Sequence, residues 1–232
     1  MTETGTRRDR TRAATVREIT ATARMILVKE GPDAVTLRAI ARRMGMTAPA
    51  LYRYFGSHQE LLRHVVGDLF NELTDEVQAA IRQTPSGDLK ERLLHASFAF
   101  RDWALTHQRE YTLVFGTPIV RGETLDFTDE CGQRFGRTFV ELFLELWKSK
   151  PFPVLADADI EPALTVQMER YRGEVGSPDL PIGAMVVFLS CWIRLQGFVT
   201  LEVFGQMGFA LADSSPMFHL LMKDLADRLG LR

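Results

Sequence analysis

Residues Thr36 to Leu62 read TLRAIARRMGMTAPALYRYFGSHQELL. Thr36 opens a short helix as its N-cap, and Leu37, Ile40, Ala41 and Met44 recur at the spacing of one helical face. Gly45 ends that helix, because the turn needs a backbone conformation that a side chain resists. Thr47 caps a third helix, running to about Phe55, with Pro49 in its first turn where a missing N–H costs nothing. Ser57 caps a fourth, and Glu60 three residues on predicts a capping box. Two short helices joined across Gly45-Met46-Thr47 predict a helix-turn-helix, the unit that offers its second helix to the major groove of DNA.

The division of faces agrees with that reading. Leu37, Ile40, Met44, Leu51 and Phe55 form the small core, and Ala41 is small where the two helices approach. Thr47, Ala48, Pro49, Tyr52, Arg53 and Tyr54 remain outside, side chains suited to thymine methyls, phosphates and base edges. Arg38, Arg42 and Arg43 lie on the outer face of the second helix, where a phosphate backbone would pass. His58, at the start of the fourth, adds a phosphate contact beside backbone N–H groups. The candidate DNA-binding set is Thr36, Arg38, Thr47, Ala48, Pro49, Tyr52, Arg53, Tyr54 and His58.

Charge is distributed to match. The 232 residues carry a net charge of only −2, but residues 1–63 hold 12 basic and six acidic side chains, leaving the remainder at −8. A basic head on an acidic body confines polyanion binding to the first quarter of the chain. Residues 1–11 are polar and aperiodic and read as a disordered basic arm. From Arg12 the pattern turns helical, with Val16, Ile19, Ala23, Ile26 and Leu27 on one face until Gly31-Pro32.

The fourth helix carries Leu61, Leu62, Val65, Leu69, Leu73, Val77 and Ile81 to a turn at Thr84-Pro85-Ser86-Gly87. Further helices are expected over roughly 88–107, 108–116, 128–149, 157–172, 180–207 and 215–230, with 117–127 a loop. Strand-like alternation never persists, so the fold class is all-α. The two cysteines, Cys131 and Cys191, lie far apart and form no metal motif. The apolar run Ile182 to Ile193 stops at Arg194, too short to span a bilayer. No membrane partner and a reduced, cytoplasmic setting are expected. Enzyme signatures are missing: there is no nucleophile elbow and no phosphate-binding glycine loop, and the carboxylate pairs Asp75-Glu76 and Asp129-Glu130 are solvated helix charges. No catalytic residue, metal or cofactor is expected.

At this point the sequence resembles the TetR family of regulators. Over about residues 12–62 it reproduces a capping Thr36, Ile40-Ala41, Met44-Gly45, Thr47, Ala50-Leu51-Tyr52, Phe55 and Glu60-Leu61-Leu62; His58 stands where the family usually has Lys. Cys191-Trp192-Ile193-Arg194-Leu195-Gln196-Gly197 with Leu201-Glu202-Val203-Phe204-Gly205 resembles the W-x-x-L-x-G…LE-x-x-G pattern of the WHG-type subfamily. The resemblance implies a TetR-like fold: a three-helix DNA-binding domain over 12–57, after the arm 1–11, and an effector-binding and dimerisation domain over 58–232. It implies a homodimer that reads a palindromic double-stranded DNA operator and is released by a small-molecule effector. The implied dimer contact is a four-helix bundle, which fits the helix 180–207, apolar nearly all round, and the 215–230 helix. Gly197 and Gly205 would allow close helix approach.

The central helices are rich in aromatics, and apolar walls with a few orienting polar groups make a ligand pocket. Trp103, His107, Tyr111, Phe139, Phe143, Met168, Trp192 and Gln196 are the ligand-binding candidates, His107 having a second reading as a C-terminal helix cap. A small apolar or amphipathic effector suits such walls. The alternative is a helical protein-interaction module that has lost specific DNA binding.

Overall fold

The computed structural model describes residues 6–85, 87–116, 130–177 and 179–231, with no strand among them. Ten helices are described: α1 (Arg7–Glu30), α2 (Leu37–Arg43), α3 (Ala48–Tyr52), α4 (His58–Arg82), α5 (Leu89–Thr106), α6 (Gln108–Tyr111), α7 (Glu130–Ser149), α8 (Pro162–Glu174), α9 (Ile182–Val203) and α10 (Ser215–Arg228). The all-α fold is as expected. Residues 1–5 of the basic arm, the loop 117–127 and residues 128–129 lie outside the described residues.

The chain forms two compact units, one from Met1–Glu72 with His107–Gly132, the other from Leu73–Thr106 with Gln133–Arg232. In the first, α1 begins at Arg7, five residues before the apolar period starts. Thr6 Oγ1 accepts from the Asp9 N–H at 3.2 Å and the Asp9 carboxylate accepts from the Thr6 N–H at 3.0 Å. That capping box starts the helix in a polar stretch, so residues 7–11, expected within a disordered arm, are helical. Ile19, Ala23, Ile26 and Leu27 of α1 are buried, as are Leu37, Ile40 and Ala41 of α2, Leu51, Phe55, and Leu61, Leu62, Val65, Val66 and Leu69 of α4. Met44, expected in this core, is half-buried at the C-cap of α2. Tyr111, Leu113 and Val114 are also buried, and α6 packs on α1.

The second unit is centred on interlocking rings. Phe100 of α5 meets Phe135 of α7 at 5.8 Å between centroids and Trp192 of α9 at 5.6 Å; Phe139 meets Trp192 at 5.7 Å. Such tilted and edge-to-face pairs contribute roughly 0.5–1.5 kcal/mol each beyond the area they bury. The apolar stretch of α9 continues past Arg194 to Val203, so the helix as folded is long and apolar enough, by length and composition, to cross a membrane. Here it packs on α5 and α8, and Arg194 pairs with Asp224 of α10.

Two glycines have specific tasks at α9. Gly205 stands at φ +66°, where the Gln206 N–H reaches the Leu201 carbonyl at 2.8 Å and the Gly205 N–H reaches Glu202 at 3.0 Å. This left-handed cap ends the helix at Val203 rather than 207, and it accounts for Gly205 without a close helix approach. At Gly183 a Cβ would collide with the Leu155 carbonyl oxygen and crowd Val154. Because the obstacle is backbone, Gly183→Ala is expected to cost about 1–3 kcal/mol. Thermal unfolding checks this, at roughly 2–4 °C per kcal/mol for a chain of this size; an unchanged midpoint would show that the 154–155 segment yields freely.

Candidate functional site

The helix-turn-helix is set by its caps. Thr36 Oγ1 accepts from the Ala39 N–H at 3.1 Å, and Thr47 Oγ1 accepts from the Ala50 N–H at 3.3 Å. Between them Gly45 sits at φ +65°, the Met46 N–H donates to the Ala41 carbonyl at 2.9 Å and the Gly45 N–H to Arg42 at 3.3 Å. A Schellman turn therefore aims α3 away from α2, with Leu51 wholly buried and Tyr52 54% exposed. Thr36, Arg38, Thr47, Pro49 and Arg53 are exposed as well, and Ala48 is half-buried. These candidates lie on α2 and α3 and at their caps.

Two candidates are engaged within the protein. Tyr54 is half-buried beneath the Arg12 guanidinium, 5.2 Å above its ring, and Arg12 Nη1 donates to the Arg53 carbonyl at 3.3 Å. His58 is half-buried with Nε2 donating to the Val35 carbonyl at 2.5 Å. That nitrogen ties the start of α4 to the segment before α2 and is not free for a phosphate. The α4 cap is also displaced: Ser57 Oγ accepts from the Glu60 N–H at 3.0 Å, but the Glu60 carboxylate takes the Gly56 N–H at 2.7 Å, one residue before the box expected.

The basic surface extends beyond the motif. Arg7, Arg8, Thr11 and Arg12 of α1 line one open hollow with Arg53 and Tyr54, bringing the first turns of α1 beside the recognition helix. Arg43 is partly held by Glu30 at 3.2 Å.

Also in the first unit is a cluster for which no local pattern exists. Arg24 of α1 meets Glu72 of α4 at 2.5 and 2.9 Å and Glu110 of α6 at 3.1 Å. Glu72 chiefly, and Glu110, hold the guanidinium pKa above its ordinary value. Arg109 donates to the Val28 carbonyl at 2.7 Å, satisfying the C-terminal end of α1. His107 stands at the N-cap of α6 with Nε2 3.8 Å from Glu72. His107 thus stands between the last residue of α5 and the first of α6, at the C-terminal end of one helix and the N-cap of the next.

The ligand candidates divide between the units. Tyr111 is fully buried in the first, its ring 4.8 Å from that of Phe115. In the second unit an apolar cavity of about 70 Å³ is lined by Leu93, Leu94 and Ser97 of α5, Phe139 and Phe143 of α7, Phe188, Cys191 and Trp192 of α9, and Met222 and Ala226 of α10, with Lys90 at its edge. Phe139, Phe143 and Trp192 therefore meet around one space. Trp103, His107, Tyr111, Met168 and Gln196 do not line it. Trp103 is core at 1% exposure and Met168 is buried in α8. Helical spacing identifies an apolar face but not which part of it borders a void.

Comparison with known proteins meets this geometry. The model described as "Bacterial regulatory proteins, tetR family" matches residues 12–65, and "Tetracyclin repressor-like, C-terminal domain" matches residues 93–225. The chain belongs to the TetR family. The first TetR match contains the whole α2–turn–α3 unit, and the second contains the Trp192 to Gly205 motif. HTH-type transcriptional regulator Rv1816 of Mycobacterium tuberculosis is 30% identical over 183 residues, covering 78% of this chain and 77% of that protein. The crystal structure of SCO4313 aligns over 95% of this chain and 98% of its own at 30% identity and a TM-score of 0.72. BioQ with its double-stranded DNA operator aligns at 18% identity and a TM-score of 0.53, over 94% and 98% of the two chains, a likeness of fold. The protein is a TetR-family transcriptional regulator with a DNA-binding domain.

Proposed function

We propose that the protein is a ligand-responsive repressor that binds a palindromic operator as a homodimer and is released by a small apolar or amphipathic effector. The observation that carries the reading is the exposed face Thr47, Pro49, Tyr52 and Arg53, presented by a turn whose caps are complete. Tyr52 and the residues before it supply apolar and hydrogen-bonding groups for base edges. Arg38, Arg42 and the α1 arginines Arg7, Arg8 and Arg12 serve the phosphates. His58 acts here as a strut for α4 through Val35, and Tyr54 supports Arg12; both shape the surface from behind.

Self-association is supported by the outer face of the last two helices. Ile193 and Leu201 on α9, Phe204 at its C-cap, and Met217 and Leu220 on α10 are each 40–60% exposed. Gly197 falls in the α9 stripe with open space where its side chain would be. An apolar stripe of this kind on a surface helix asks for a partner, and a second copy presents the same stripe. Release requires that the effector bind better to a conformation mis-spaced for the operator. A cytoplasmic location goes with this role.

Selection of bound duplexes from a random pool, read by sequencing, tests the proposal. A palindromic consensus is expected, and absence of enrichment at low salt would refute it. With that operator in hand, log affinity is expected to fall steeply and linearly with log salt, by about 0.9 per neutralised phosphate. Arg7→Ala with Arg8→Ala should flatten the slope by about 2, whereas a slope unchanged in that variant would remove α1 from the interface.

A further inference from the structure

The second-unit cavity has one polar feature that its apolar walls do not explain. Ser97 is already satisfied, its hydroxyl donating to the Leu93 carbonyl at 2.8 Å. Cys191 stands in surroundings dry enough that burial pushes its thiol up to about 11, so it remains a neutral, unreactive wall. Lys90, in the first turn of α5, is half-buried at the edge of the cavity, and no ion pair to it is found among the described residues. Arg228, in the last turn of α10, exerts the largest charge influence on the Cys191 thiol and likewise has no ion pair among the described residues.

From this arrangement we infer that the effector is an aliphatic monocarboxylate, its chain seated between Trp192 and the α5 and α10 walls and its carboxylate held at Lys90. The inference deepens the ligand-responsive reading and rests on it. An apolar space walled by aromatic rings excludes polar bodies. A cation at the rim with no acidic neighbour engaged selects the sign of the head group, since an ammonium there would meet like charge and an alcohol would forgo the attraction. The cavity of about 70 Å³ is well below the roughly 300–1,000 Å³ of pockets for drug-sized ligands. A short chain is thus what it admits, and Ala226, buried in its wall, is the point where added bulk closes it.

Titration calorimetry of the protein tests this with three probes of equal, short chain length: butanoate, butan-1-ol and butylammonium. Butanoate is expected to bind saturably, at least tenfold tighter than either of the others. Lys90→Met should erase that advantage and Lys90→Arg retain it, while Ala226→Phe should abolish binding of all three with helix content unchanged by circular dichroism. Equal affinities, an unaffected Lys90→Met, or no binding of any chain would overturn the inference. So would weakened self-association in Ala226→Phe without any chain binding in the parent, which would assign the cavity to a second copy. Operator affinity separates the two levels. Butanoate that binds without weakening the operator complex would refute the release mechanism but keep the site. Release by some other compound class with no butanoate binding would refute the site alone.

Discussion

Replacing Arg101 with alanine is expected to destabilise the protein by about 3–5 kcal/mol, the cost of breaking a buried ion pair from one side. Arg101 of α5 and Glu202 of α9 are each 8% exposed in their side chains and meet through two hydrogen bonds of 2.7 and 2.5 Å. The guanidinium also donates to Ser215 Oγ at 3.1 Å and lies 4.8 Å over the Phe218 ring of α10, and Ser214 donates to Glu202. One arginine therefore joins three helices of the second unit. Alanine would leave the carboxylate buried without its cation, whereas Arg101→Met with Glu202→Leu removes both charges and should recover most of the loss. Urea unfolding at one fixed protein concentration checks the pair, since the proposed self-association would make stability concentration-dependent. Equal losses in the single and double variants would show that packing on Phe218, not charge, matters here.

The same pair sets a pH dependence. Burial works against the Glu202 charge, but hydrogen bonds from Arg101 and Ser214 outweigh it and hold the carboxyl below its ordinary 4.5. A depressed folded-state pKa contributes stability that is present above 4.5 and is lost as pH falls through the folded value. In Arg101→Ala the burial is opposed only by the Ser214 hydrogen bond, so the carboxyl is expected to rise. The penalty of that variant should shrink as the medium is acidified toward pH 5. A penalty constant from neutral to acid pH would mean that Glu202 finds another cation.

The recognition unit was legible because its information is local. Thr36, Gly45 and Thr47 announce caps and a turn within a dozen residues, and each makes the backbone hydrogen bond that its residue type is suited to make. Signals failed where the deciding partner was distant or unmarked. Thr6 and Asp9 start α1 without any apolar period, so the helix could not be seen before Arg12. The His58–Val35 bond and the Arg24–Glu72–Glu110 cluster join residues 23 to 86 positions apart, and nothing in their neighbourhoods foretells it. In the body, a helix such as α5 buries aromatics on several sides, so periodicity could not separate Trp103, which is core, from the residues that border the cavity. Gly183, by contrast, was unremarkable in the sequence and is explained only by the carbonyl that passes over it.

The exposure of Tyr52 makes it the cleanest test of how the head reads DNA. Half of its surface is open while its neighbour Leu51 is wholly buried, so Tyr52→Ala removes a probe and not a support. Specific operator affinity is expected to fall about 10–100-fold, the worth of a good base-edge contact, with helix content, unfolding midpoint and self-association unchanged. Tyr54→Ala is the necessary contrast. Its ring carries Arg12 and is half-buried, so that variant should lose stability and DNA affinity together. Affinities for operator and for unrelated duplex separate base reading from phosphate contact: Tyr52→Ala should collapse the ratio between them, while Arg38→Ala should weaken both and leave the ratio nearly intact. A Tyr52→Ala protein that differs from the parent in self-association, or that weakens both duplexes equally, would move Tyr52 from reading bases to holding the backbone. Specificity would then have to come from the short side chains of Thr47, Ala48 and Pro49 and from the shape of the operator itself.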